Sequence, residues 1–121
     1  MKTEDILNLD CRKQENREIL EKYLMKVKPV KRLYDKEGEL TTELLEKAMH
    51  GIITHYDFSI ATQGIRPYYE DGKFIYYVVD MLRGKKERTW CGCVYGVTMW
   101  EIIAKITIKM YGEILKERKG K

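Results

Sequence analysis

The closing quarter of the chain constrains its fold most: an apolar strand, a glycine, and then a capped helix that is apolar on nearly every side. Val94-Tyr95-Gly96-Val97-Thr98-Met99-Trp100-Glu101 leads into an amphipathic stretch reaching about Arg118. Thr98 with Glu101 three residues later matches the capping box, in which each side chain satisfies an orphan backbone N–H of the first turn. The polar positions that follow are Glu101, Lys105, Lys109, Gly112, Glu113 and Lys116, a thin stripe at spacings of three and four. Met99, Trp100, Ile102, Ile103, Ala104, Ile106, Ile108, Met110, Tyr111, Ile114 and Leu115 fill the remainder. A helix with so narrow a polar strip must be covered on most of its sides, so other elements have to wrap around it.

A chain of 121 residues, 44% of them hydrophobic, predicts one domain able to bury a core without staples. Acidic residues in Met1-Lys2-Thr3-Glu4-Asp5 and the absence of any long apolar run point to a cytoplasmic protein with no membrane span. Cys11, Cys91 and Cys93 are odd in number and are expected as reduced thiols. Charge is uneven: residues 83–121 hold ten Lys/Arg against four Asp/Glu, while residues 1–82 hold 13 against 15.

Residues 1–11 read as an arm whose Ile6, Leu7 and Leu9 dock on the body. Asp10 is the expected N-cap of a helix over 12–28, with Ile19, Leu20, Tyr23, Leu24 and Val27 on one face and Pro29 as its stop. Residues 30–40 read as a polar connection with a turn at Asp35-Lys36-Glu37-Gly38. A second helix over 41–56, capped by Thr41 or Thr42, carries the stripe Leu44, Leu45, Ala48, Met49, Ile52, Ile53 and Tyr56. Alternation from Phe58, the Asp71-Gly72 hairpin signal, the β-formers Phe74–Leu82 and the segment Arg88–Tyr95 predict a three-stranded antiparallel sheet over 57–95, followed by a helix over 98–118.

The fold class is therefore α+β, helix–helix–three strands–helix. The αβββα part resembles the topology of double-stranded RNA-binding domains, with an extra N-terminal helix. That likeness stops at the last helix, where those domains resemble one another in phosphate-gripping lysines and this chain has Thr98-Met99-Trp100-Glu101. The middle strand is apolar on both sides, with Phe74, Tyr76 and Val78 opposing Ile75, Tyr77, Val79 and Met81. Helices on one sheet face leave the second to be covered by the first helix, a second copy or a partner.

Cys91-Gly92-Cys93 places two thiols on one strand face, about 7 Å apart, as candidate metal ligands or contacts for a small ligand. Buried cysteines more often act as small apolar residues, and no cofactor is expected. His50 and His55, five apart on a helix, do not share a face. No phosphate loop, nucleophile elbow or dinucleotide fingerprint is present, so an enzyme is not expected. Tyr76, Tyr77, Trp90 and Trp100 stand out as binding anchors, and Arg83, Lys85, Lys86 and Arg88 as a steering patch. Stacking of bases on Tyr68, Tyr69, Tyr76, Tyr77 and Trp90 beside that patch is the nucleic-acid alternative.

Three stretches, Asn8-Leu9-Asp10-Cys11-Arg12, Lys26-Val27-Lys28-Pro29 and Val94–Lys105, resemble a group of small uncharacterised proteins carried by phages and mobile elements of gut anaerobes. The resemblance implies a compact accessory protein that binds a host or partner protein, and the apolar surplus on the last helix and both sheet faces adds the expectation of a homodimer. It brings no catalytic residues.

Overall fold

The computed structural model describes residues 2–119, without the side chain of Lys119. Among these, five helices and four strands form an α+β fold in the order α1 (Thr3–Leu7), α2 (Gln14–Leu24), α3 (Lys28–Glu37), α4 (Thr42–Tyr56), β1 (Phe58–Ile60), β2 (Arg66–Glu70), β3 (Lys73–Arg83), β4 (Thr89–Gly96) and α5 (Met99–Lys119).

The helices at 42–56 and 99–119 lie where expected. Thr41 Oγ1 accepts from the Leu44 N–H at 3.1 Å, which satisfies one of the first-turn donors of α4. The Glu101 N–H donates to Thr98 Oγ1, also at 3.1 Å. The return bond of the box is shifted by one residue: Glu101 Oε1 accepts from the Val97 N–H instead of that of Thr98. Asp71 and Gly72 both have positive φ, the left-handed pair that a two-residue hairpin needs.

The first half departs from expectation in two places. Pro29 does not close a helix; it opens one. It sits in the first turn of α3, where its missing N–H is an orphan anyway, and residues 28–37 are helical instead of a polar connection. Gly38, in the left-handed conformation, ends that helix at the predicted turn. The preceding helix is accordingly shorter, 14–24, and Asp10 is not its cap. The Asp10 carboxylate instead accepts from the Arg12 N–H, and its carbonyl from Asn16. The arm does dock: α1 buries Ile6 in the core.

The sheet has four strands instead of three, though it is three strands wide. Met81–Arg83 of β3 pair with β1, and residues 73–78 with β2. Residues 77–83 pair on the other side with β4. β1 and β2 thus share one edge of β3, separated by residues 61–65, and the single alternating strand read from Phe58 onward is broken in two.

α5 is the axis of the fold. Its residues 100–108 are buried throughout, against α4, α1, β4 and β3. Val79, Met81 and Val94 face it from the sheet. At Gly96 a Cβ would stand 2.8 Å from the Ile102 backbone nitrogen, so the missing side chain lets strand and helix touch. Burial even reaches the polar stripe, with Glu101 1% and Lys105 3% exposed. Lys105 Nζ donates to Glu101 Oε2 at 2.7 Å and to the Leu9 carbonyl at 2.6 Å, tying the N-terminal arm to the helix. Farther on, Lys109 pairs with Glu113 at 2.9 Å before the stripe reaches solvent at Lys116. Between Trp100 and Ile114 the apolar surface of this helix is covered within the chain, whereas Met99 and Leu115 at its two ends are exposed.

Candidate functional site

Among the described residues no helix packs on the sheet face turned away from α5; only the arm, at Asp10 and Arg12, borders it beside Tyr76 and Tyr95. Strand alternation places Tyr68, Tyr76, Val78, Asp80, Cys93 and Tyr95 on it through the pairs Tyr68↔Tyr76, Val78↔Tyr95 and Asp80↔Cys93. Trp90 joins them by way of a β-bulge. The register slips between Met81 and Leu82, so that Gly92 lies opposite Met81 and Trp90 opposite Leu82. The extra residue in β4 reverses which side chains share a face.

This bulge separates the two candidate metal ligands. Cys91 turns inward, its thiol donating to the Met81 carbonyl at 3.4 Å, with Lys109 and Glu113 of α5 acting on it. Cys93 turns outward beside Asp80 and Tyr95. The two thiols lie on opposite sides of the sheet, which corrects the expected shared face. Burial holds both above the ordinary thiol range, and pushes Cys11 up to about 11. All three are free. No cluster of three His, Cys, Asp or Glu forms among the described residues.

On the open face the polar centre is Asp80. Trp90 Nε1 donates to one carboxylate oxygen and Arg66 Nη2 to the other, each at 3.0 Å. These two bonds hold its carboxyl below the usual carboxylate range, the indole first and the guanidinium second. Around it the rings interlock. Tyr68 and Tyr76 stack with centroids 5.0 Å apart, and Tyr95 meets Tyr76 edge-on at 4.9 Å. The Tyr68 hydroxyl donates to Glu70, which raises its own pKa. Trp90 is nonetheless 61% exposed and Tyr95 46%. Trp90 and Tyr68 are thus held at their polar tips while much of each ring stays exposed.

Because the Asp80 carboxyl is held below its unfolded value, its contribution to stability is complete above about pH 4 and disappears as pH falls through the folded-state pKa. Asp80→Asn is therefore expected to destabilise the protein at neutral pH and to match wild type once the pH has fallen below the folded-state pKa of Asp80. Urea midpoints of the two proteins across that range check it. A deficit of constant size would mean that the charge on Asp80 contributes nothing.

The predicted anchors do not form one group. Tyr76 and Trp90 lie on the open face; Tyr77 lies on the opposite one, paired with Gly96 and packed against the core. Trp100 is not a surface residue at all. It is 7% exposed, its Nε1 donates to the Leu40 carbonyl at 2.8 Å, and the Arg17 guanidinium lies 4.1 Å from its ring centre. In the basic patch, Arg83 pairs with Glu117 and covers the Phe58 ring, so it does not steer from the surface. Lys85, Lys86 and Arg88 are exposed on the turn after β3. Arg66, Tyr68, Asp80 and Tyr95 lie on the open face outside the set of predicted anchors. The available signal was Asp80, a lone acid in the apolar run Phe74–Leu82.

One further concavity, a cleft of about 160 Å³, lies where the N-terminal arm meets the end of β4, with Glu101 and Lys105 among its walls. Those charges already satisfy one another and the arm, so the cleft marks a structural latch.

Comparisons with protein-family models, with curated proteins and with solved structures find no match for this chain. Among the described residues, no helix is long and apolar enough to cross a membrane.

Proposed function

We propose that this is a non-enzymatic accessory protein of a phage or mobile element, acting by docking a host or partner protein on its open sheet face. One observation carries the reading: Trp90, Tyr68 and Tyr95 are exposed on the sheet face turned away from α5, with Tyr76 packed between the two tyrosines. Rigid aromatics gain contact area at little entropic cost, and they dominate binding energy where they become desolvated.

The electrostatics favour a protein over a polyanion. Arg66 is neutralised by Asp80, and Glu70 adds negative charge beside Tyr68. In the αβββα topology read from the sequence, which resembles that of double-stranded RNA-binding domains, the start of the last helix would grip phosphates, whereas the sheet here has four strands. Here Glu101 and Lys105 are buried against each other, which offers an RNA backbone nothing. Lys85, Lys86 and Arg88 serve as a rim that speeds encounter with an acidic partner.

The test is capture of a partner from a bacterial host lysate after nuclease treatment, followed by affinity measurement with the purified partner. Trp90→Ala and Tyr68→Ala are each expected to weaken binding by roughly 30-fold, the scale of a hot-spot residue. Unchanged affinity in both variants, or retention only of nucleic acid with a steep salt dependence, would overturn the proposal.

A further inference from the structure

The two edges of the sheet are treated differently. The β1/β2 edge carries the devices that discourage strand pairing: strands of three and five residues, Pro67 without an N–H, and charges at Arg66 and Glu70. The β4 edge carries almost none. Thr89–Gly96 is eight residues long, without a charge or a proline, and it ends in the regular stretch 92–96 beyond its bulge. β4 packs on β3 and α5, and among the described residues no strand pairs with its other side.

We propose that the free edge of β4 pairs antiparallel with β4 of a second copy, joining two sheets about a two-fold axis near Val94. A two-fold pairing needs a strand that tolerates itself, and this one sets no like charge against its own image. The flanks are compatible as well. Antiparallel pairing keeps the two basic turns, each with Lys85, Lys86 and Arg88, at opposite ends of the shared ladder, where each meets the Asp10–Arg12 ion pair of the second copy instead of its own image. With the axis at Val94, Cys93 of one copy lies opposite Tyr95 of the other, both on the open face. The two aromatic layers then become one continuous surface. An edge of this length buries less than the roughly 800 Å² per partner of a standard interface, so the dimer is expected to be concentration-dependent.

Light scattering and sedimentation from about 1 μM to about 500 μM read the outcome, with masses moving from 14.4 kDa toward twice that value. Tyr95→Lys, which sets two cations diagonally across the axis about 7–8 Å apart, is expected to remain monomeric throughout that range. Tyr95→Cys is expected to form an intermolecular disulfide with Cys93 under mild oxidation, giving a dimer band on a non-reducing gel that Cys93→Ser removes. Tyr68→Ala, on the guarded edge, is expected to dimerise like wild type while losing the partner protein, which keeps this inference separate from the docking reading. A wild-type protein that stays at 14.4 kDa across the range overturns the pairing. So does a dimer that Tyr68→Ala dissolves, since that would place the contact on the face and not the edge.

Discussion

Lys105→Met is expected to cost the fold about 3–5 kcal/mol, the penalty for leaving a buried charge without its counter-ion. The side chain it removes is 3% exposed and holds two groups at once: the Glu101 carboxylate at 2.7 Å and the Leu9 carbonyl at 2.6 Å. Its loss strands a carboxylate that is itself 1% exposed and leaves the arm carbonyl without a donor. For a domain whose total stability is about 5–15 kcal/mol, that is a large fraction. Adding Glu101→Gln to Lys105→Met removes the stranded charge, and the pair of changes is expected to recover most of the loss. Chemical denaturation of the two single variants and the double one gives the coupling directly. Equal losses in the Lys105→Met single and the double variant would mean that the pair is held by packing alone. Because Lys105 reaches Leu9, the single variant is also expected to raise amide exchange in residues 3–9 before the rest of the fold loosens.

The same ion pair shows where a sequence speaks and where it is silent. Spacing reports periodicity faithfully: the capping Thr98, the stripe through α4 and the Asp71-Gly72 hairpin all lie where the pattern put them. Periodicity does not report what stands opposite. A stripe of Glu101, Lys105, Lys109 and Glu113 has the same spacing whether it meets water or the arm that carries Leu9, a contact 96 residues away in sequence. Pro29 is ambiguous for a similar reason, because its fixed φ suits both the residue after a helix and the first turn of the next. The bulge at Cys91/Gly92 is the costliest omission. One added residue in β4 moves Trp90 onto the face of Cys93 and Tyr95, and turns Cys91 to the other side. No alternation rule applied to Trp90–Tyr95 contains that step. The open aromatic face was legible as an imbalance, since β3 is apolar on both sides, but its composition depended on a register the sequence does not carry.

The two tryptophans, alike in sequence and chosen together as anchors, are expected to respond to truncation in opposite ways. Trp100→Ala is expected to destabilise the fold by about 3–5 kcal/mol, the range for removing a large buried aromatic. It empties a site between α2 and α5, strips the Arg17 guanidinium of the ring beneath it, and leaves the Leu40 carbonyl without its 2.8 Å donor. Trp100→Phe retains much of the volume and loses only the indole N–H, so its cost should fall well below that of the alanine variant. Trp90→Ala removes a ring that is 61% exposed and a single hydrogen bond to Asp80, and is expected to cost at most about 1 kcal/mol. Thermal melts of the three variants order them as Trp100→Ala, Trp100→Phe, Trp90→Ala from least to most stable. The binding assay should respond mainly to Trp90→Ala, because Trp100 lies beneath the helical layer and Trp90 on the side of the sheet turned away from α5. A Trp90→Ala protein as unstable as Trp100→Ala would make the open face a part of the core, and its aromatic layer would no longer indicate a partner.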